Sequence, residues 1–232
     1  MTVAPRRALA FILITIFIDT VGFGIIIPVL PGLLMDLLDG SLTTAALYGG
    51  WLMFLFSALQ FVSAPVLGNL SDHFGRRPVL LASLAAFSAD FIVMGLATTV
   101  GWLFLGRALS GIFSATYPVA SAYVADLTAP EQRARSFGLM GAAWGMGFVV
   151  GPAVGGLLGD ANPRLPFFVA ASLAAANVIY GYFVLPESLA PANRRPFVLA
   201  RANPIGAFLQ MRKYPLVIGL LAALFLYHIA HD

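Results

Sequence analysis

Cysteine is missing from all 232 residues, which removes disulfide frameworks, thiolate metal sites and thiol nucleophiles from consideration. Charge is nearly as scarce: Asp, Glu, Lys and Arg make up 10% of the chain against 60% hydrophobic residues. Water-soluble domains carry roughly 25% charged residues, so an ordinary soluble globule is excluded. The three histidines, His73, His228 and His231, form no HExxH or paired-ligand spacing. No nucleophile–base arrangement accompanies them, which leaves an integral-membrane enzyme without catalytic residues or a metal site. The net charge of +3 rests on arginines at the ends of apolar runs, so it offers no footing for nucleic acid. The basic start, Met1 to Arg7, precedes an apolar run too long for a secretory signal core and without a small-residue cleavage site. It reads as an uncleaved first span.

Apolar runs of about 20 residues fill the chain, each long enough to cross a hydrocarbon core of about 30 Å. Six read as complete spans, at 8–34, 46–70, 79–98, 102–125, 136–158 and 165–185, and a seventh begins near Tyr214. They lack the period-two alternation of outer-membrane strands, and a helix satisfies its own backbone in lipid. The predicted fold class is therefore an all-α membrane protein. One set of span ends carries Arg6, Arg7, Arg76, Arg77, Arg133, Arg135, Arg194, Arg195, Arg201, Arg212 and Lys213. The opposite set carries only Arg164, with Asp36, Asp39 and Asp160. Basic residues are retained in the cytoplasm during insertion, which predicts a cytoplasmic N-terminus in a bacterial inner membrane. Three regions follow: a bundle over 1–185, a cytoplasmic loop over 186–213, and the start of a seventh helix over 214–232. Within the loop, 204–213 (PIGAFLQMRK) reads either as an interfacial helix or as a solvated linker.

Three ionisable residues fall inside spans: Asp19, Asp90 and Arg107. A charge at the bilayer centre costs roughly 2.5–3.5 kcal/mol on insertion scales, so such residues face a wet cavity, pair, or titrate. Asp19 lies about 16 Å from the start of its span at 1.5 Å per residue, and Asp90 and Arg107 fall at neighbouring depths. A carboxylate so placed is suited to carry a proton, a tendency that an adjacent arginine opposes. Asp90 reads equally as a structural contact. Gln60 reads as a substrate or gating contact or as packing glue between helices. Tyr117, Trp144 and the phenylalanines read as lipid-facing or core side chains rather than as a drug pocket.

Residues 68–78, GNLSDHFGRRP, predict a short turn between spans two and three, with glycines at 68 and 75. Arg76 and Arg77 then open a helix, where the dipole favours anions instead. An acidic partner should compensate, with Asp72, Asp126 and Glu131 as candidates; the segment reads equally as a plain basic turn on the cytoplasmic side. In span five, Gly147, Gly151, Gly155 and Gly159 recur every four residues, leaving one face open to close approach by another helix. Pro152 removes one helical hydrogen bond. Tight packing and gating account for this face equally well.

These segments resemble the major facilitator superfamily. The loop matches G-x-x-x-D-[RK]-x-G-R-[RK], with His73 standing where the family usually has Arg or Lys. Gly22 to Pro31 is similar to the G-x5-P-x-x-P exit of helix one, and Arg107 with Gly111 resembles the R-x-x-x-G of helix four. Gly138, Gly147, Gly151-Pro152 and Gly155-Gly156 match the antiporter motif of helix five. Within the superfamily the chain resembles tetracycline-efflux-like drug:proton antiporters. That resemblance implies a six-helix N-terminal bundle of 3+3 inverted repeats plus a partial seventh helix. It implies alternating access, in which a drug, foremost tetracycline as a divalent-metal chelate, leaves as a proton enters. Asp19, Gln60, Asp90 and Arg107 are then expected on the transport path. Gly68, Asp72, Gly75, Arg76, Arg77 and Asp126 are expected at a cytoplasmic gate, with Gly147, Gly151, Pro152, Gly155 and Gly156 on the antiporter helix.

No catalytic residue, resident metal or cofactor is implied. The partners are the drug, protons, the lipid bilayer and a C-terminal half. That half carries further polar residues in the family, so this chain alone is expected not to catalyse net efflux. A multidrug or metabolite exporter of the same superfamily is the alternative, as is an inactive truncated product with a structural membrane role. A purely structural subunit, however, gives no reason for Asp19, Asp90 and Arg107 at membrane depth.

Overall fold

The computed structural model describes residues 3–198, 203, 218–223 and 226. Its bundle consists of α1 (Val3–Leu38), α2 (Leu42–Phe74), α3 (Arg76–Gly95), α4 (Val100–Phe113), α5 (Thr116–Leu127), α6 (Pro130–Ala161) and α7 (Leu165–Val184). A single 3-10 turn, Pro191–Asn193, follows. No strand occurs among the described residues. Residues 218–223 of the expected seventh span are helical. The segment 204–213, His228 and His231 lie outside the described residues.

Among the described residues five helices are long and apolar enough to cross a membrane: α1 from Arg7, α2, α3, α6 and α7. Span four departs from expectation. It is not one helix over 102–125 but two, α4 of 14 residues and α5 of 12. The cause is Pro118, which has no N–H for the Ser114 carbonyl and whose ring would crowd it. The chain tightens instead, with Ala115 N donating to Phe113 O at 2.7 Å and Ser114 N to Gly111 O at 3.4 Å. The turn at residues 68–78 is also shorter than predicted. Helix α2 continues to Phe74, and only Gly75 turns the chain, at φ 111. A side chain there would be strained. Gly68 sits within α2 facing open space.

Helix α1 packs chiefly on α6, α4 on α2, and α3 on α7. Counted as spans, these pairs are one with five, four with two, and three with six. Exchanging the first three spans with the last three maps this pairing onto itself. Equivalent spans run in opposite directions, as an inverted repeat requires.

The α1–α6 contact explains the glycine ridge. A Cβ on Gly147, Gly151 or Gly155 would meet the carbonyl oxygens of Phe17, Val21 and Ile25 at 2.8, 2.7 and 2.6 Å. Both series advance by four residues, so backbone lies against backbone over two turns. Gly24 answers from α1, where a Cβ would meet Pro152 at 2.8 Å. Helix α6 runs unbroken through Pro152. Gly156 points away from this contact, with nothing near its Cβ position.

Two buried apolar clusters stack along the spans. One contains Phe11, Ile12, Ile16, Leu80, Leu84 and Tyr123. The other contains Ile25, Ile26, Leu34, Phe91, Met94 and Leu103. Along their helices the polar residues Asp19, Thr20, Ser88, Asp90, Arg107 and Ser110 fall between them.

The packing predicts that Gly151→Ala destabilises the detergent-purified protein by about 1–3 kcal/mol, the usual cost of overpacking. Gly156→Ala should be neutral or stabilising by up to about 1 kcal/mol. Thermal unfolding of the two variants checks the contrast.

Candidate functional site at the polar layer

A cavity of about 290 Å³ opens at this layer, lined by Asp19, Gln60, Ser114, Thr116, Tyr117 and Trp144, with Phe23, Phe56 and Phe87 among the apolar walls. Five helices, α1, α2, α3, α5 and α6, build it. Helix α1 brings Asp19 one residue before Thr20, whose hydroxyl turns back to the Ile16 carbonyl at 2.8 Å. Helix α2 brings Gln60, whose Nε2 donates to Ser114 Oγ at 2.8 Å at the break between α4 and α5. Thr116, in the first turn after the break, presents its side chain to the Asp19 carboxylate. Asp19 Oδ1 is buried and has no hydrogen-bond partner among the described residues. The broken backbone is tolerable at membrane depth because it lines a cavity.

Asp90 and Arg107 stand elsewhere. Arg107 Nη2 donates to Asp90 Oδ2, and the two side chains are 1% and 0% exposed, so the pair is sealed from solvent. Arg107 Nη2 also meets Met94 Sδ at 3.2 Å, and its guanidinium lies 5.5 Å from the centre of the Phe56 ring. The Phe56 ring lines the cavity, so one aromatic side chain separates the pair from it. Glycines make the pairing possible. A Cβ on Gly106 would strike Asp90 Oδ1, and one on Gly111 would strike the Phe56 carbonyl at 2.7 Å. Of the four residues expected on a path, two face the cavity and two face each other behind its wall.

At the basic end, Arg76 Nη1 meets Asp72 Oδ1 at 2.6 Å, and its Nε meets Asp126 Oδ2 at 3.3 Å. Nη1 also donates to Ser71 Oγ at 2.7 Å. Asp72, Gly75, Arg76 and Asp126 thus come together. Arg77 turns aside, donating to the Tyr182 carbonyl and lying 5.5 Å over the Tyr182 ring. Glu131, an acidic candidate from sequence, is exposed in the first turn of α6.

Glu187 is a partner of this turn that sequence reasoning missed. Its two carboxylate oxygens accept the backbone N–H groups of Arg76 at 2.9 Å and Arg77 at 3.2 Å. The available signal was its place directly after span six, on the same side of the bundle as Arg76. Two interhelical polar contacts were also missed: Asn177 Nδ2 to Thr15 Oγ1 at 3.0 Å, and Ser88 Oγ to the Ala171 carbonyl at 2.9 Å. Among the described residues no group of three or more His, Cys, Asp or Glu is placed to hold a metal ion.

Comparison with known proteins agrees with this architecture. Tetracycline resistance protein, class C, of Escherichia coli is 44% identical over 221 residues, covering 95% of this chain and 55% of that protein. Multidrug resistance protein 2 of Bacillus subtilis (strain 168) is 34% identical over 196 residues, covering 83% of this chain and 48% of its own length. The crystal structure of the human organic anion transporter MFSD10 (TETRAN) superposes with a TM-score of 0.73 at 26% identity, over 83% of this chain and 50% of that one. The chain spans about half the length of the curated relatives it matches. The sequence profile of the Major Facilitator Superfamily matches residues 12–230, and with the paired-span bundle and the charged turn at Gly75 in place, the chain belongs to that superfamily.

Proposed function

We propose that this chain forms the N-terminal half of a proton-coupled exporter that moves a small-molecule drug by alternating access. It acts as a carrier and not as an enzyme. The observation that carries the reading is Asp19: a carboxylate at membrane depth, on a cavity wall, with one buried oxygen unpartnered. Such a group can exchange a proton with the cavity, whereas Asp90 is bonded to Arg107 and braces α3 against α4. Phe23, Phe56, Phe87, Tyr117 and Trp144 supply ring faces around the carboxylate, which suits a flat aromatic solute. Tetracycline, arriving as a divalent-metal chelate, is the leading substrate because a tetracycline resistance protein is 44% identical to this chain over 221 residues. The aromatic lining and the multidrug resistance relative favour a broader drug range as the second reading.

The C-terminal half supplies the facing wall. Apolar residues exposed on α2 (Trp51, Phe54, Phe61) and on α6 (Met146, Val149, Leu157) support a further apolar surface against them. The basic span ends support a cytoplasmic N-terminus in a bacterial inner membrane. The Asp72–Arg76–Asp126 cluster then lies on the cytoplasmic side, where it gates the path.

In inside-out vesicles carrying the complete transporter, Asp19→Asn should lower proton-driven tetracycline uptake at least about tenfold, the effect of about 1.4 kcal/mol, at unchanged membrane abundance. Retained uptake overturns the proton role. Asp72→Asn should likewise lose uptake while remaining in the membrane, where a structural subunit would keep its activity. A drug panel in the same vesicles separates a tetracycline carrier from a broader one.

The brace generates a separate expectation. Arg107→Met strands a buried carboxylate and should cost about 3–5 kcal/mol of stability. Adding Asp90→Asn should recover most of that loss, which thermal unfolding of the single and double variants measures.

A further inference from the structure

Helix α3 begins with two arginines and has no cap of its own. Gly75 offers no side chain, no side-chain cap bond comes from that position, and cations at a helix N-terminus oppose the dipole. The first N–H groups of any helix also need acceptors from outside it. Both needs are met from the far end of the bundle. Glu187 accepts Arg76 N at 2.9 Å and Arg77 N at 3.2 Å, while Leu189 N donates to Glu187 Oε1 at 3.0 Å and holds the carboxylate in place. The carboxylate fills the space beside Gly75, where a Cβ would collide with it.

The segment after α7 then crosses the cluster and is tied to it repeatedly. Tyr123 donates its hydroxyl to the Pro186 carbonyl at 2.8 Å. Ser188 Oγ donates to Asp126 Oδ2 at 3.2 Å, the same oxygen that accepts Arg76 Nε. Arg195 N donates to the Asp72 carbonyl at 3.0 Å, and His73 Nδ1 donates to the Arg195 carbonyl at 3.1 Å. Asn69 Nδ2 donates to the Val198 carbonyl at 2.7 Å. Every member of the Asp72–Arg76–Asp126 cluster is thereby bonded to residues 186–198. His73, the departure from the family pattern, is one of the ties.

We propose that Glu187 is a positioning residue of the gate and that residues 186–198 form a strap which holds the Gly75 turn closed. The proposal rests on the reading of that turn as the cytoplasmic gate. Glu187 touches neither drug nor proton path. It fixes the direction in which α3 leaves Gly75, and so the reach of Arg76 to its two carboxylates. Opening the gate requires the strap to move with the turn or its bonds to break.

The test uses the complete transporter, with any cysteine of its other half replaced, and a reporter at Tyr117→Cys on the cavity wall. A membrane-impermeant maleimide is applied from the cytoplasmic side to read the labelling rate, while drug uptake and membrane abundance are read in the same variants without the reporter. Glu187→Gln keeps the size and loses the charge. It should raise the labelling rate by about tenfold, consistent with loss of a charge-assisted hydrogen bond, and lower uptake at equal abundance. Glu187→Asp should fall between parent and Gln, while Glu131→Gln should match the parent. Asp72→Asn tests the gate itself. If Asp72→Asn raises labelling and Glu187→Gln does not, the positioning role is wrong and the gate stands. If neither changes labelling, the gate reading fails and the strap with it. Should Glu187→Gln not accumulate, Glu187→Asp decides, and a labelling rate equal to the parent's overturns the proposal.

Discussion

Hydrocarbon offers a protein no hydrogen bonds, and the bundle is organised around that constraint. Every polar group at membrane depth must find a partner inside the chain or border a wet space. Asp90 takes the first solution through one oxygen, paired with Arg107 and closed off from solvent, while its Oδ1 has no partner among the described residues. Asp19 takes the second, standing on a cavity with an oxygen unpartnered. The broken backbone at Ser114 uses both, since its side chain is held by Gln60 and its surroundings line the cavity. Two carboxylates at membrane depth thereby stand in different surroundings. One is bonded to a guanidinium and closed off, and the other borders the cavity.

The same constraint explains why so much of the bundle is held by glycine. With lipid as apolar as leucine, helices gain little by burying side chains against each other and more by bringing backbones close. Gly147, Gly151 and Gly155 let α6 lie directly on the carbonyls of Phe17, Val21 and Ile25. Asp19 and Thr20 sit within that stretch of α1, so the cavity carboxylate is carried on a closely packed helix pair. The opposite wall belongs to the broken α4–α5 span, with Gln60 of α2 at the break. A rigid wall faces an interrupted one, an arrangement suited to changing the width of the cavity without unpacking the bundle.

Sequence made the spans legible because a bilayer imposes length and composition on each of them separately. It made Asp19, Asp90 and Arg107 stand out for the same reason, as charges in apolar runs. It did not separate their roles. That distinction depends on Gly106, Gly111 and Phe56, which are unremarkable as letters and matter only through how closely α3 and α2 approach α4. Pro118 was visible, but it was read within a continuous span because hydropathy does not register a lost hydrogen bond. Gly68 and Gly156 fit a motif, and open space surrounds their Cβ positions. Glu187 was hidden by its distance along the chain from Arg76. Its bond to the turn joins the end of the bundle to the middle, which local patterns cannot reveal.

The division of labour between the two carboxylates is accessible to infrared difference spectroscopy of the complete transporter, recorded as pH is stepped with and without bound drug. A protonated-carboxyl band that responds to drug should be absent from Asp19→Asn and preserved in Asp90→Asn. A responsive band that survives in Asp19→Asn and vanishes in Asp90→Asn would contradict the account, because the proton would then reside in the sealed ion pair and not on the cavity wall.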